Sequence, residues 1–333
     1  MVETHFKENE TNIKKIHKVT ELKSGTNIVD VFVVKFKKPV QKYKNGYMFE
    51  LRIGDSSGEV MLKFWGDNNQ TSVGELYNSI KKDDVILVSG MVGEYLGNIE
   101  ISVNKENTIK VCQKGTYNIT DFLPITEKDI DGMLTKLQKI IETINEPTLK
   151  KIILYFFNDK EVIQNIKDSP AAMYKHHGWI GGLLEHILDM IEISESVLKV
   201  HPELNRSLLI TGIILHDIGK IEELEVTTSI KTSKVGHLKG HTIIMIEQLT
   251  KALIDLEISK NEEIVLKLTH MILSHHGKLE YGSSKLPAFP EAMALYQIDE
   301  LNAKLKNMIT SMNNANTEDD YIYSKDFGNI YLK

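Results

Sequence analysis

The histidines of this chain are concentrated in one stretch of the sequence. Ten of the twelve lie between residues 176 and 276. Among them, His216 and Asp217 form a doublet at the end of the apolar run LLITGIILHDIGK. Neutral imidazole and carboxylate groups bind divalent transition metals, and an Asp beside a His can place an oxygen between two ions. A single doublet is also common at surfaces and helix ends, so the prediction of a metal site depends on the other histidines.

The other candidate ligands lie on or beside stretches with helical periodicity. They are His186, His241, His275, His276 and Asp299. Around His186, apolar residues recur at helical spacing, which puts its imidazole on the buried face. An unpaired buried imidazole or carboxylate costs several kcal/mol. A cluster of such groups within one helical bundle therefore predicts bound metal ions.

The order H…HD…H…HH…D on successive helices resembles the HD superfamily of metal-dependent phosphohydrolases. At a finer level the chain resembles the YhaM-type 3′→5′ exoribonucleases, which pair an N-terminal OB-fold with a C-terminal HD domain. The matching stretches are HHGWIGGLLEH (176–186), LHDIGKIEEL (215–224), GH (240–241), HMILSHHGKLEYGS (270–283) and IDELNAKL (298–305). In the first half, RIGDSSGEVMLKFWG (52–66) is similar to an OB-fold hairpin of the nucleic-acid-binding kind.

The fold class predicted for the 333 residues is multidomain α and β, an N-terminal OB-fold β-barrel followed by an all-α HD-domain helical bundle. Residues 1–115 are assigned to the barrel, 116–126 to a linker, 127–312 to the HD domain and 313–333 to a C-terminal tail. Strand patterning stops at the linker. The aromatic residues of the tail suggest that it docks on the body of the protein or on a neighbouring subunit.

The barrel prediction rests on five strand patterns with a helix before the fourth, which is the order of an OB-fold. Asn27 to Lys37 alternates as a strand, the loop PVQKYKNG follows, and YMFELRIGD and EVMLKFWG are the second and third strands. A short helix is predicted from Glu75 to Ile80, ahead of the strands DVILVSGMVGEY and NIEISV. The open face of such a barrel receives oligonucleotides.

Basic residues outnumber acidic ones only in the first part of the chain, although the net charge of the whole chain is −6. Residues 1–115 carry 17 Lys and Arg against 15 Asp and Glu, while residues 116–333 carry 23 against 31. Lysines there alternate with aromatic residues, which suits phosphate attraction and base stacking, and a merely solvated surface is an equal alternative. Phe64 and Trp65 point to opposite faces of one strand, so at least one belongs to the core. The predicted nucleic-acid contacts are Phe32, Lys35, Tyr43, Tyr47 and Trp65.

We expect Asp217 to bridge two divalent ions. The predicted first ligand set is His186, His216 and Asp299, and the second is His241 with one of His275 and His276. We do not expect both histidines of this pair to bind the same ion, because adjacent helical residues point about 100° apart. Paired ions lower the pKa of a bound water and clamp the oxygens of an in-line attack on phosphorus. Manganese is expected first, with cobalt, iron, zinc or magnesium as alternatives.

Other residues of the matching stretches are predicted to act on the substrate. Lys220 is expected to hold a non-bridging phosphate oxygen, although a cation at a helix end is also favoured by the helix dipole. We assign His275 to the ligands and His276 to proton donation to the leaving oxygen. His176 and His177 are assigned to substrate contact or to support of the ligands.

The predicted function is that of a metal-dependent 3′→5′ exonuclease on single-stranded RNA, with single-stranded DNA left open, that releases nucleoside 5′-monophosphates. The polarity comes only from the resemblance. One alternative is an HD phosphohydrolase acting on small or cyclic nucleotides, which would be fully active from residues 127–333 alone. The other is a non-catalytic single-strand-binding protein. No GxxxxGK[ST] loop and no GxGxxG fingerprint occur, so motor and hydride-transfer chemistry are not supported.

Composition and hydropathy also indicate the cellular compartment of the protein. The single cysteine, Cys112, excludes an internal disulfide and fits a reducing compartment. No stretch is long and apolar enough to span a bilayer, and the N-terminus lacks an apolar signal core. We therefore expect a cytoplasmic protein without a membrane partner. A homo-oligomer with several OB faces around one entrance would suit an exonuclease, and the sequence leaves this open.

Overall fold

The computed structural model describes residues 13–104, 109–173, 177–315 and 317–333. The chain divides into two compact units. The first contains the chain up to Pro124 together with Thr227–Ser229, and the second contains Ile125–Val226 and Ile230–Lys333. The first is rich in β-strands and the second is helical, as the predicted fold class requires.

The first unit has the strand connections of an OB-fold. Its elements are β1 (Asn27–Tyr43), β2 (Gly46–Asp55), β3 (Gly58–Trp65), α1 (Gln70–Ser79), β4 (Val85–Tyr95), β5 (Asn98–Val103) and β6 (Ile109–Val111). The strands pair in the order β1-β2-β3-β5-β4, and β4 pairs back with β1. The pairing of β3 with β5 is parallel, whereas the other pairings of this ring are antiparallel. This arrangement, with the helix ahead of β4, confirms the predicted fold.

Strand β3 shows how the barrel is filled. Phe64 is fully buried and stacks on Phe49 with ring centroids 4.8 Å apart. The next residue, Trp65, is partly exposed. Because side chains alternate across a strand, the two neighbours serve opposite faces. The prediction that at least one of the pair belongs to the core is confirmed.

Strand β1 is longer than the sequence predicts. We expected a loop over residues 39–46, but the strand continues to Tyr43 and the turn is confined to Lys44 and Asn45. The register of β1 against β2 shifts between Lys38 and Gln41, on either side of Pro39. A proline cannot donate to the ladder, and an irregular register removes the need for that donor. Pro39 therefore marks an irregularity inside a strand, and the predicted loop was wrong.

Most of the segment predicted as a linker packs on the barrel. Residues 116–126 contain a short 3₁₀ helix, Ile119–Asp121, followed by Phe122. Phe122 is buried against valines on the outer side of β1 and β4. Burial of apolar surface stabilises this position of the segment, and the first unit accordingly extends to Pro124.

The second unit is a helical bundle with two short strand pairs. Its helices are α2 (Ile130–Glu142), α3 (Pro147–Phe157), α4 (Lys160–Asp168), α5 (Gly182–Val200), α6 (Arg206–Leu215), α7 (Lys220–Glu223), α8 (Lys234–Asp255), α9 (Glu263–Ser274) and α10 (Pro290–Asn313). The strands are β7 (Leu224–Val226) with β8 (Ile230–Thr232), and β9 (Tyr321–Ser324) with β10 (Gly328–Tyr331). None of the described helices is both long and apolar enough to cross a membrane.

The C-terminal tail forms the β9–β10 hairpin. Ile330 is buried, whereas Tyr321, Tyr323 and Tyr331 are exposed. An isolated two-stranded hairpin is marginal in water, so the buried residue helps to hold it. Docking of the exposed tyrosines on a neighbouring subunit stays a prediction.

Candidate metal centre

Asp217 lies at the centre of the candidate site. It follows α6, in which every residue from Leu208 to Leu215 is buried. Because a helix that is apolar on all sides must run through the middle of a bundle, His216 and Asp217 at its end are buried as well. Lys220 Nζ donates a hydrogen bond to Asp217 Oδ2 at 2.6 Å. The sequence HDIGK therefore places a carboxylate, an imidazole and an ammonium group together in the interior.

A first set of ligands surrounds Oδ2 of Asp217. His216 Nε2 lies 3.3 Å from this oxygen, and His186 Nε2 lies 3.7 Å from it. Asp299 approaches the same imidazole, with Oδ1 3.2 Å from His186 Nε2. Helices α5 and α10 and the end of α6 thus bring together the three groups that the sequence assigned to one ion.

A second set of ligands faces Oδ1 of Asp217. His241 Nε2 lies 3.5 Å and His275 Nε2 lies 3.9 Å from this oxygen. The Nε2 atoms of His275 and His276 are 3.3 Å and 3.2 Å from that of His241. The two oxygens of one carboxylate therefore face two separate groups of imidazoles, the geometry expected of a carboxylate that bridges two ions.

Both His275 and His276 lie beside His241, although we expected only one of them to act as a ligand. That expectation assumed the 100° offset of adjacent residues within a helix, which is about the value for an ideal α-helix. Helix α9 ends at Ser274, and Gly277 has a φ of 72°. The chain turns here, and the two rings come within 4.1 Å, centroid to centroid. The three imidazoles could therefore hold one ion together, and the division of His275 and His276 into a ligand and a proton donor stays a prediction.

The five imidazoles of the two sets share one hydrogen-bonding pattern. Their Nδ1 atoms lie 2.7–3.1 Å from an oxygen, which belongs to Asn302 for His186, Ile213 for His216, Glu223 for His241, Ile272 for His275 and Tyr281 for His276. An Nδ1 that donates its proton to such an oxygen leaves the lone pair on Nε2. Five lone pairs therefore point into one space, together with two carboxylates.

Buried polar atoms of the site, among them His216 Nε2 and Asp217 Oδ1, make no hydrogen bond within the part of the chain that the structure describes. A buried polar atom without a partner costs free energy that some other interaction must offset. A cation offsets it at both atoms, and mixed imidazole and carboxylate ligands suit divalent transition metals. The residues present therefore fit a divalent metal centre.

The pKa shifts of Asp217 and His275 also suit a cation. Burial disfavours the ionised form of Asp217, but the nearby His216 and Lys220 outweigh this and hold the pKa of the carboxyl well below its usual range. Burial lowers the pKa of His275 well below its usual value, and the neighbouring His276 lowers it further. Metal ligands must be an ionised carboxylate and a neutral imidazole, and these pKa shifts favour those forms at Asp217 and His275. Burial lowers the pKa of His216, but the adjacent Asp217 carboxylate outweighs burial and raises it, so a bound cation would have to displace a proton there.

Two glycines bring α8 against the turn that carries Asp217. At Gly219, a Cβ atom would collide with the backbone carbonyl of His241. At Gly240, φ is 71° and ψ is 154°, which interrupts α8 just before His241. A positive φ of this kind favours glycine because it has no Cβ. The GH pair in the sequence therefore encodes a helix break that turns an imidazole toward the site.

Two residues that orient ligands, Glu223 and Asn302, were not predicted from the sequence. Glu223 binds His241 twice, with Oε2 3.0 Å from Nδ1 and Oε1 3.1 Å from the backbone nitrogen. Asn302 Oδ1 lies 2.8 Å from His186 Nδ1. Asn302 follows Asp299 by three residues on α10, a spacing on one helix face that could have revealed it. Glu223 precedes its partner by 18 residues, and no local pattern connects them.

The two predicted histidines ahead of α5 have different outcomes. His176 lies outside the described residues. His177 is buried, with Nε2 3.3 Å from Asp189 Oδ2 and its ring 5.3 Å from that of His186. Lys128 binds the same Asp189 at 2.8 Å. Because His177 has no exposed surface, support of His186 fits its position better than contact with substrate.

The predicted contacts of the barrel differ in accessibility. Phe32 is fully buried in the barrel core, so the prediction that it contacts nucleic acid is wrong. Lys35 is half-buried, and burial lowers its pKa. Tyr43 and Trp65 are partly exposed and meet edge to face with ring centroids 5.1 Å apart, and Tyr47 is partly exposed. The alternation of β1 could not identify Phe32 as core, because apolar residues occupy both faces of that strand.

Comparisons with known proteins cover both units. A family model described as HD domain matches residues 183–304, and one described as OB-fold nucleic acid binding domain matches residues 29–109. The 3′-5′ exoribonuclease YhaM of Geobacillus sp. (strain WCH70) is 35% identical over 267 residues, which are 80% of this chain and 78% of that protein. The protein of the same name from Bacillus subtilis (strain 168) is 33% identical over 265 residues, 79% of this chain and 81% of that protein.

Solved structures of OB-fold domains are among those to which the chain is similar in part. One is the second OB-fold domain of replication protein A from Methanococcus maripaludis, with 22% identity, coverage of 29% of this chain and 95% of that chain, and a TM-score of 0.24. The folds and the metal centre define an HD-domain hydrolase preceded by an OB-fold nucleic-acid-binding domain. Identity over most of both curated relatives then gives the family. The chain belongs to the YhaM family of 3′-5′ exoribonucleases.

Proposed function

We propose that this protein is a divalent-metal-dependent 3′→5′ exonuclease that degrades single-stranded RNA and releases nucleoside 5′-monophosphates. The observation that carries the proposal is Asp217, whose two oxygens face two separate groups of imidazoles. The substrate and the polarity follow from relatives named as 3′-5′ exoribonucleases. Single-stranded DNA is proposed as an additional substrate.

The proposed centre holds two ions, with manganese as the first candidate. Asp217 would be shared between His186, His216 and Asp299 on one side and His241, His275 and His276 on the other. When bound, such ions supply a nucleophilic water near neutral pH and neutralise charge on the phosphate oxygens. Cobalt, iron and zinc suit the same ligands, and magnesium suits them less well.

The chain's own groups prepare the site for a phosphodiester. Lys220 places an ammonium 2.6 Å from Asp217 Oδ2, where it can also bind a non-bridging phosphate oxygen and stabilise the charge that develops there. Glu223 accepts the proton of His241 Nδ1 and so keeps the lone pair of Nε2 directed into the site. In the barrel, the partly exposed rings of Tyr43 and Trp65 offer stacking surface to bases.

The proposal is tested by incubating the purified protein and manganese with a 5′-labelled single-stranded RNA and resolving the products on a sequencing gel. We expect a descending ladder from the wild type and intact RNA with Asp217→Ala. Glu222→Ala is the matched control, because this exposed carboxylate lies on α7 close to the site but outside the ligand sets. Intact RNA after incubation with metal-loaded wild type would contradict the proposal. Cleavage of cyclic dinucleotides by that same sample would indicate a small-nucleotide phosphohydrolase instead.

A further inference from the structure

A tight turn directly follows the ligand His276, and in the centre described above only its Tyr281 carbonyl takes part. It contains the 3₁₀ helix Leu279–Tyr281 between Gly277 and Gly282, whose φ values are 72° and 87°. A Cβ at Gly277 would collide with the ring of Tyr296. The glycine therefore lets the chain pass close to α10, and the course of the turn is fixed beside the metal ligands.

Backbone hydrogen bonds connect this turn to His276. The Nδ1 atom of His276 lies 3.1 Å from the carbonyl oxygen of Tyr281, and the amide of Lys278 donates to the carbonyl of His276 at 2.8 Å. The amide of Tyr281 donates to the carbonyl of Lys278 at 3.0 Å. The same backbone that orients a ligand thus sets the positions from which the side chains of Lys278 and Tyr281 extend.

These two side chains form an exposed pair. Lys278 Nζ lies 5.0 Å from the ring centroid of Tyr281, and the Tyr281 side chain is 52% exposed. Neither residue belongs to the apolar core of the bundle. A cation beside an aromatic face is the combination that binds single-stranded nucleic acid, because the ring stacks on any base and the ammonium attracts phosphate.

We propose that Lys278 and Tyr281 form a clamp that holds the 3′ end of single-stranded RNA at the metal centre. The Tyr281 ring stacks on a base of the terminal nucleotides, and the Lys278 ammonium binds a phosphate of the same segment. This inference rests on the proposed function, since it requires a polynucleotide substrate. It assigns to the sequence HHGKLEYG two tasks in one turn, ligation by its histidines and substrate binding by its lysine and tyrosine.

The experiment compares two substrates with each variant and manganese. A three-nucleotide RNA tests the clamp, and bis(p-nitrophenyl) phosphate, a diester without bases, tests the metal centre alone. We expect Tyr281→Ala to raise KM for the RNA roughly 5- to 100-fold, as the loss of one stacked base implies. Tyr281→Phe should restore the wild-type KM. Lys278→Ala should raise KM and reduce its dependence on salt, because one phosphate contact is lost.

The control is Leu279→Ala, which truncates another exposed side chain of the same turn and should leave KM for the RNA unchanged. Leu279→Ala should also hydrolyse bis(p-nitrophenyl) phosphate at the wild-type rate. Lys278→Ala and Tyr281→Ala keep the backbone carbonyl that accepts from His276, so they should lose much less activity on this diester than on the RNA. An unchanged KM for RNA in Tyr281→Ala, or an equal loss on both substrates, overturns the clamp while the proposed function stands. A wild type that hydrolyses the chromogenic diester but no RNA overturns the proposed function and the clamp together.

Discussion

The barrel and the helical unit use their polar side chains in opposite ways. In the barrel, Lys37 donates to the backbone carbonyls of Tyr77 and Ile80 at the end of α1, and Lys38 pairs with Glu50. These charges are satisfied by partners within the unit. Part of the positive surface that the sequence suggested for RNA therefore serves the barrel itself, since a cation at the C-terminal end of a helix is favourable.

In the helical unit, polar atoms are buried and directed at one another. His216 Nε2 and Asp217 Oδ1 make no hydrogen bond to a described residue, although the other polar atoms of their side chains do. A polar atom left without a partner inside a fold therefore indicates a ligand more strongly than an exposed charge does. Unsatisfied buried groups are costly, whereas exposed charges are met by water.

The largest effect is expected at Phe32, which was wrongly predicted to contact nucleic acid. Phe32→Ala should lower the free energy of unfolding by about 3–5 kcal/mol, because it removes a fully buried aromatic ring from the core. Denaturant titration measures this change. The RNA affinity of the folded variant, measured by fluorescence anisotropy, should equal that of the wild type. A variant as stable as the wild type that binds RNA weakly would place Phe32 at the surface instead.

In the helical unit, Glu223→Ala tests whether a buried partner holds a ligand of the second set in place. We expect the affinity for manganese to fall about 10- to 100-fold, because the imidazole of His241 loses the carboxylate that fixes its tautomer and orientation. Titration calorimetry measures the affinity, and circular dichroism checks the fold. Glu222→Ala removes the adjacent exposed carboxylate and should leave the affinity unchanged. Equal affinities for both variants would mean that Glu223 does not orient a ligand.

A smaller effect is expected at the barrel surface. Trp65→Ala should weaken RNA binding by about 1–3 kcal/mol, the contribution of one stacked base, with little change in stability because the ring is partly exposed. Fluorescence anisotropy with a labelled single strand measures the binding. Tyr323→Ala, which removes a 78% exposed ring from the second unit, is the control. Unchanged binding in Trp65→Ala would move the RNA contact to another face of the barrel.

The positions of the candidate ligands His186 and Asp299 were predictable from sequence because helical periodicity identifies inner faces. His186 on α5 is buried and Asp299 on α10 is partly buried, and both lie within regular helices whose apolar neighbours mark the inner face. His276 follows the end of α9, where periodicity no longer fixes the direction of a side chain, so its position beside His241 and His275 was not predictable. Glu223 was missed because its partner is distant in sequence. Position within a regular element was thus predictable, whereas contacts made by turns were not.

In the barrel, strand alternation failed for a related physical reason. Val33 and Phe32 point to opposite faces of β1, yet both are buried, because Phe122 covers the outer face. Alternation indicates which residue is core only when one face of a strand meets water. A covering segment about 90 residues away in the chain is invisible to the local pattern on which such a prediction depends.

The bridging role of Asp217 is tested most directly by metal content. The wild type, dialysed to equilibrium with manganese and analysed by mass spectrometry for metal, should hold two ions per chain. Asp217→Ala should lose both ions under the same conditions, because each ligand set loses one oxygen. Lys220→Ala, which leaves both oxygens in place, should retain them. One ion per chain in the wild type, or two ions retained by Asp217→Ala, would contradict a shared carboxylate.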